Sequence, residues 1–227
     1  MSSVVDEVRV RFQRVEAELR SACAAAGRTR DEVTLVAVSK RQPEERLAAA
    51  IALGHRDFGE NYPQEMRRKQ QAHPELRWHM VGHLQRNKAR LLAEVHLFHG
   101  LDSLRLAKAM ARLGVETARP MRALVQVNQG REAAKTGFLE EELPSLFEAL
   151  SDLKDGLDLQ GFMTIPPPGE GPRHFERLRR LRDDWVERSG LALPELSMGM
   201  SDDFGEAIAA GATIVRVGTA LFGQRPK

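Results

Sequence analysis

The chain has 227 residues, 42% hydrophobic and 29% charged, and its 34 Lys and Arg residues against 32 Asp and Glu give a formal net charge of +2. A chain of this length buries about 70% of the surface that its unfolded state exposes, so its core needs neither disulfides nor metals. These figures predict a single domain over residues 1–227. They exclude a membrane span, because no window approaches 18 consecutive apolar residues.

The number of cysteines and the distribution of charged residues indicate in which cellular compartment the protein resides and which kinds of partner it binds. Cys23 is the only cysteine, so no disulfide or Cys-x-x-Cys site is available within the chain. The N-terminal segment lacks the apolar core and cleavage site of a signal peptide, and we expect a cytoplasmic protein. Basic residues are interleaved with acids, and aromatic residues make up only 5% of the chain, so no nucleic-acid partner is expected.

Short apolar runs alternate with longer amphipathic segments, which is the pattern of strands separated by helices. The first predicted element is a helix at about residues 4–26. Eight strands are predicted after it, with helices between them, at residues 33–40, 56–60, 77–83, 95–102, 122–128, 157–165, 194–200 and 213–219. Several of these strands are apolar at nearly every position, as in a parallel sheet that is covered on both faces.

This eightfold alternation predicts the α/β class and a single closed (β/α)8 TIM barrel. An open, doubly wound sheet is the alternative. Such a sheet would carry a Gly-x-Gly-x-x-Gly motif after the first strand if it bound a dinucleotide, and this sequence has none. The barrel therefore places any site at the carboxyl ends of its strands.

Lys40 is the first candidate for chemistry, because it ends the first predicted strand. Alternation places it on the same face as Val36 and Val38. If that face is interior, partial desolvation favours the neutral amine, which can attack a carbonyl and form a Schiff base. A surface lysine at a strand end is the alternative.

Two segments near the C-terminus predict an anion site. Strand seven leads into a helix through Ser201, which we expect to be its N-cap, and strand eight breaks at Gly218 and Thr219. The loops after strands seven and eight of such barrels commonly hold phosphate. A capped helix without any ligand is the alternative, since Asp202 and Asp203 already complement the helix dipole.

Other polar residues lead to weaker expectations. Arg216 shares a strand face with Gly218, and it either serves a ligand or forms a salt bridge with an acid such as Glu60. His79 and His83 lie four residues apart in strand three, about 13 Å, which is too far for one ion. We therefore expect no metal site.

Taken together, these segments resemble the pyridoxal phosphate homeostasis proteins. The resemblance extends in order from about residue 4 to residue 223. The matching motifs are the strand that ends at Lys40, GENY (59–62), WHMVGHLQRNK (78–88), QVNQGREAAKTGF (126–138), GFMTIPP (161–167), SMGMSDD (197–203) and VRVGTALFG (215–223). The common HFIG of the family reads HMVG here.

The resemblance implies a barrel similar to the N-terminal domain of alanine racemase (fold type III of pyridoxal phosphate proteins). It implies covalent pyridoxal 5′-phosphate (PLP) held as an aldimine on Lys40. It assigns the other cofactor contacts to Asn61 in the pocket, Met200, Ser201, Gly218 and Thr219 at the phosphate, and Arg216 near the pyridine nitrogen.

The implied function is PLP binding in vitamin B6 and amino-acid homeostasis, without catalysis and with no catalytic residues. Arg216 would keep the pyridine nitrogen unprotonated, and racemisation needs a second base that alanine racemase takes from a further domain. A low-activity amino-acid racemase that uses Lys40 with Tyr62 or a water is the alternative. Apo-enzymes that require PLP are the expected transient clients, and a monomer is expected. A third hypothesis, a partner surface on the charged helix at 173–188, competes with an ordinary solvated face.

Overall fold

Eight parallel strands close into a barrel in chain order, with the last strand paired to the first. The computed structural model describes residues 3–132 and 135–224. The strands are β1 (Thr34–Val38), β2 (Asp57–Glu60), β3 (Arg77–Met80), β4 (Leu97–Leu101), β5 (Met121–Gln126), β6 (Leu157–Met163), β7 (Glu195–Ser197) and β8 (Ile214–Val217). Each coincides with a predicted strand, so the (β/α)8 barrel is confirmed and the open sheet is wrong.

Helices surround the barrel. The α-helices of the described ranges are α1 (Val4–Ala25), α2 (Glu44–Ala52), α3 (Pro63–Ala72), α4 (Leu104–Glu116), α5 (Leu143–Leu153), α6 (Gly171–Ser189), α7 (Phe204–Ala209) and α8 (Thr219–Phe222). Short 3-10 helices cover Arg30–Glu32, Arg86–Leu92 and Glu140–Glu142. Within the described ranges, no helix combines the length and apolar character needed to cross a bilayer.

Helix α1 begins where the sequence caps it. The Ser3 hydroxyl accepts a hydrogen bond from the Asp6 backbone amide at 3.2 Å, which satisfies one of the free donors of the first turn. Buried side chains then recur every three or four residues, at Val8, Phe12, Val15, Leu19 and Cys23. This apolar stripe packs across α2, α7 and α8, so α1 covers the side of the barrel where β8 meets β1.

Apolar residues fill two separate layers. The larger layer lies between strands and helices, and a small cluster of Val36, Leu97, Leu124, Met163 and Ile214 fills part of the barrel interior. Polar side chains share that interior. Register places His79 beside Leu97 and Arg216 beside Val36, so both point inward with the apolar cluster.

Candidate functional site

A cavity of about 500 Å³ opens at the carboxyl ends of the strands. Cofactor and ligand pockets commonly measure roughly 300–1,000 Å³. The cavity is lined by all seven residues of the predicted site, which are Lys40, Asn61, Met200, Ser201, Arg216, Gly218 and Thr219. They come from β8 and from the segments after β1, β2, β7 and β8, so barrel closure brings together residues from both ends of the chain.

Lys40 reaches the cavity by continuing the alternation of β1. Val36 packs inside the barrel, while Val38 and Lys40 line the cavity above it. The predicted common face of these three residues is confirmed. Lys40 is partly exposed, so its side chain is accessible from the mouth of the barrel.

Buried polar groups hold the backbone just before Lys40. The Lys69 amine, only 2% exposed, donates to the Ser39 carbonyl oxygen at 2.8 Å. The Ser39 hydroxyl donates to Glu60 Oε1 at 2.7 Å, and the Ser39 amide donates to the Gly59 carbonyl at 3.0 Å. Residue 39 is thereby fixed at its amide, its carbonyl and its side chain.

The backbone just after Lys40 is held by the same buried cluster, which consists of Ser39, Glu60, Glu65 and Lys69. Lys69 Nζ lies 2.6 Å from Glu60 Oε1 and 3.0 Å from Glu65 Oε1. Glu65 Oε1 also accepts the Arg41 backbone amide at 2.9 Å. Arg41 has a φ of 56°, a left-handed conformation that costs a non-glycine residue about 1–2 kcal/mol. Burial raises the pKa of Glu60, and the positive charge of Lys69 opposes that rise.

Sequence reasoning missed this cluster, and the alternative of a salt bridge between Arg216 and Glu60 is wrong, because Glu60 pairs with Lys69. Gly59 faces the barrel interior, where a Cβ would lie 2.8 Å from Val36 Cγ1. The next residue, Glu60, therefore faces outward to Lys69 of α3. The only local signal was the four-residue spacing of Glu65 and Lys69, which places both on one face of that helix.

The predicted anion site lies where β7 and β8 end. Gly218 and Thr219 supply the first amides of α8, which have no acceptor within the helix. Ser201 does not cap α7, so the predicted N-cap is wrong. The Asp203 carboxylate accepts the Met200 amide at 2.6 Å and α7 begins one residue later, at Phe204. The Ser201 hydroxyl instead accepts the Ala220 amide at 3.4 Å, linking the two loops.

Gly199 sets the turn that carries Met200 into the cavity. Its φ is +90°, and a Cβ there would lie 2.6 Å from the Ala207 Cβ. We expect Gly199→Ala to lower the free energy of unfolding by about 2–3 kcal/mol, through backbone strain and overpacking. Urea unfolding measures this change.

The matched control for that prediction is Gly205→Ala, on the neighbouring helix α7. A Cβ at Gly205 meets no atom within 4 Å, and alanine favours a helix over glycine by about 0.5–1 kcal/mol. Gly205→Ala should therefore stabilise the protein. Equal effects of the two substitutions would contradict the steric argument.

Arg216 projects into the barrel and reaches the cavity from below. Its Nη1 donates to the Ser197 hydroxyl at 2.6 Å and its Nη2 donates to the Thr164 carbonyl at 2.9 Å. Burial lowers the pKa of Arg216 to about 10, so the guanidinium stays charged at neutral pH. A buried cation fixed by two neutral acceptors thus forms the floor of the site.

The two histidines of the β3 segment have different surroundings. His83 is half-exposed, with Nδ1 2.7 Å from Asp102 Oδ2, whereas His79 is buried inside the barrel. Ligand-type atoms of Asp57, His79 and His96 do lie within 4.8 Å of one another. Within this group, both Asp57 oxygens accept hydrogen bonds from the Arg77 guanidinium, at 2.7 and 2.5 Å, so the carboxylate has a charged partner within the protein.

Comparison with known proteins places this barrel in a class. Residues 10–226 match the family model described as alanine racemase, N-terminal domain. Alanine racemase of Corynebacterium glutamicum has a TM-score of 0.71 over 93% of this chain and 60% of the enzyme. At 20% identity, that likeness shows the fold alone.

Relatives with higher identity define the family more narrowly. The pyridoxal phosphate homeostasis protein of Pseudomonas aeruginosa is 43% identical over 99% of this chain and 97% of that protein. PipY of Synechococcus elongatus, solved with PLP bound, is 37% identical, with a TM-score of 0.78 over 85% of this chain and 93% of PipY. The chain belongs to the pyridoxal phosphate homeostasis protein family.

Proposed function

We propose that this protein binds PLP covalently through Lys40 and serves PLP and amino-acid homeostasis as a carrier, without catalysing a reaction. The observation that carries the proposal is that all seven predicted cofactor residues line one cavity. The PLP-bound structure of PipY, at 37% identity, supports the same choice of ligand.

The groups around the cavity suit the three functional parts of PLP. The cofactor supplies an aldehyde that condenses with an amine, a phosphate, and a pyridine ring. Lys40 offers the amine, and Ser201, Gly218 and Thr219 offer backbone amides to the phosphate. Met200 lies beside them, with its own amide donated to Asp203. Arg216, a donor without a lone pair, keeps the pyridine nitrogen unprotonated. Asn61 lines the remaining wall.

Two features favour a carrier over the alternative, a low-activity racemase. A charged arginine beside the pyridine nitrogen weakens the ring as an electron sink. The candidate second base, Tyr62, does not belong to the cavity lining; its ring is 42% exposed and lies under the Arg41 guanidinium at 5.1 Å. Tyr62 is therefore not directed at a substrate in the cavity, and Asp202 is the carboxylate among the described residues that line it.

The cellular setting follows from the same proposal. We place the protein in the cytoplasm as a monomer, with apo-enzymes that require PLP as transient clients and with neither nucleic acid nor membrane as partners. Stoichiometric transfer of PLP from the loaded protein to an apo-enzyme would support this role. Light scattering on the eluting protein would report its mass.

The first test adds PLP to the purified protein, records the visible absorption spectrum, reduces with borohydride and maps the modified peptide by mass spectrometry. A phosphopyridoxyl group on Lys40 is the expected result. Absence of any adduct would overturn the proposal. Exchange of an amino-acid α-proton for deuterium, lost in Tyr62→Phe, would favour the racemase instead.

Ser201→Ala is expected to weaken PLP binding by less than tenfold. The hydroxyl makes one long hydrogen bond, to the Ala220 amide, and its loss leaves the backbone amides of both loops in place. Titration followed by absorbance measures the dissociation constant. Complete loss of binding would show that the anion site depends on this side chain rather than on the backbone.

A further inference from the structure

A continuous line of hydrogen-bonded side chains crosses the barrel interior below the cavity. It starts at Arg216, whose Nη1 lies 2.6 Å from the Ser197 hydroxyl, and that oxygen lies 2.8 Å from His99 Nδ1. His99 Nε2 lies 3.0 Å from His79 Nδ1, and His79 Nε2 lies 3.2 Å from Asp57 Oδ1. We call these five residues, all at most 8% exposed, the interior chain.

The two ends of the interior chain fix the direction of its hydrogen bonds when each histidine ring carries a single proton. An arginine can only donate, and an ionised carboxylate can only accept. The Ser197 oxygen therefore accepts from Arg216 and passes its own proton to His99 Nδ1. His99 must then carry its proton on Nε2 and donate to His79, which in turn donates from Nε2 to Asp57.

The surroundings of Asp57 and of His99 favour these protonation states. Although burial opposes ionisation of Asp57, hydrogen bonds from Arg77 and His79 hold the pKa of that carboxyl well below its usual value. Burial holds the pKa of His99 well below its usual value, so its ring is neutral at pH 7. A neutral ring has one donor and one acceptor, as this position in the chain requires.

The interior chain acts on the site through Arg216. The described residues offer this guanidinium only two hydrogen-bond acceptors, the Ser197 hydroxyl and the Thr164 carbonyl, and no carboxylate within 4 Å. When its proton is directed to His99, the hydroxyl turns its lone pairs toward Arg216. That ring is held by His79, and His79 is held by Asp57.

We propose that Ser197, His99, His79 and Asp57 are positioning residues that fix the orientation of Arg216 toward the ligand in the cavity. The proposal rests on the proposed function, because the ligand in question is PLP. It assigns a role in the site to residues at the opposite end of the barrel, where β2 begins at Asp57.

The first test needs no PLP. Nitrogen-15 NMR of the histidine rings in the full chain at pH 7 reports which nitrogen of each ring is protonated, with His79→Gln and His99→Gln for assignment. We expect both rings to be neutral and protonated on Nε2. His83 is an internal contrast, since its Nδ1 lies 2.7 Å from Asp102 Oδ2 and must carry a proton to donate.

One NMR result would overturn the proposed direction. If His79 is doubly protonated and His99 carries its proton on Nδ1, both rings donate toward Ser197 and the order reverses. Because this measurement uses the unmodified protein, it stands whether or not PLP binds, and it separates failure of the interior chain from failure of the proposed function.

The second test measures PLP binding in Ser197→Ala, Ser197→Thr and an exposed-site control, Ser151→Ala. Losing one of two acceptors of a buried guanidinium should weaken PLP binding roughly tenfold in Ser197→Ala and shift the absorption maximum of the bound cofactor. Ser197→Thr keeps the hydroxyl and should restore both values. Ser151→Ala should match the parent.

Equal affinity and an unchanged spectrum in Ser197→Ala would overturn the positioning role while leaving PLP binding intact. If Ser197→Ala does not fold, the PLP affinity of Ser197→Thr and the NMR measurement of the histidine rings still test the proposal. If Ser197→Thr folds but its affinity for PLP stays about tenfold below that of the parent, the result would count against the proposal. The hydroxyl acceptor would then be present without restoring PLP binding.

Discussion

Lys40→Ala is expected to abolish borohydride-stable incorporation of PLP while changing the free energy of unfolding by less than about 1 kcal/mol. Among the described residues that line the cavity, Lys40 carries the only amine, so they offer no substitute nucleophile. The Lys40 side chain is partly exposed, and its backbone is held by contacts of its neighbours, so little packing is lost. Mass spectrometry of the reduced protein and urea unfolding measure the two quantities.

Lys108→Ala, at an exposed position on α4, is the matched control for general modification of lysines. It should incorporate PLP as the parent does. Incorporation into Lys40→Ala at the parental level would show that another lysine is the site. Loss of folding would instead give Lys40 a structural role that its exposure does not suggest.

Lys69→Met is expected to lower the free energy of unfolding by about 3–5 kcal/mol, the usual cost of removing one partner of a buried ion pair. Lys69 is 2% exposed and Glu60 fully buried, and one oxygen of Glu60 already has no hydrogen-bond partner among the described residues. Without the amine, the carboxylate must either stay charged in the core or take up a proton. Urea or thermal unfolding measures the loss.

Two further variants test whether an unpaired charge is the cause. Lys69→Met combined with Glu60→Gln should recover part of the stability, because the double variant buries no charge at that position. Lys108→Met should stay within about 0.5 kcal/mol of the parent. If Lys69→Met lowers the free energy of unfolding by less than about 1 kcal/mol, the Glu60–Lys69 ion pair contributes little to the stability of the segment that follows β1.

Local sequence patterns predicted the barrel and the main site residues because both depend on short-range rules. Alternation along β1 placed Lys40 above Val36, and apolar runs located every strand to within a few residues. The anion-site residues were placed by their positions after β7 and β8. Their assignment to PLP depended on the family resemblance and stays a prediction until binding is measured.

Contacts across the barrel escaped the same reasoning. His99 and Ser197 are 98 residues apart in sequence and meet only because closure sets the register of all eight strands. The error at Ser201 was local. The Asp203 carboxylate accepts the Met200 amide, and the helix begins at Phe204, two residues later than a Ser201 cap would place it.

The seam between β1 and β8 also bears on how the chain folds. Thr34 of β1 pairs with Ile214 of β8. Because β1 is synthesised first and β8 last, β1 cannot form these hydrogen bonds until the whole barrel sequence has been made. Until then both strands expose open edges, which invite pairing with other molecules. Contacts between such distant segments make closure a slow step. Helix α1, which precedes β1 and covers this seam, is available throughout synthesis to shield the apolar surface beside the open edge.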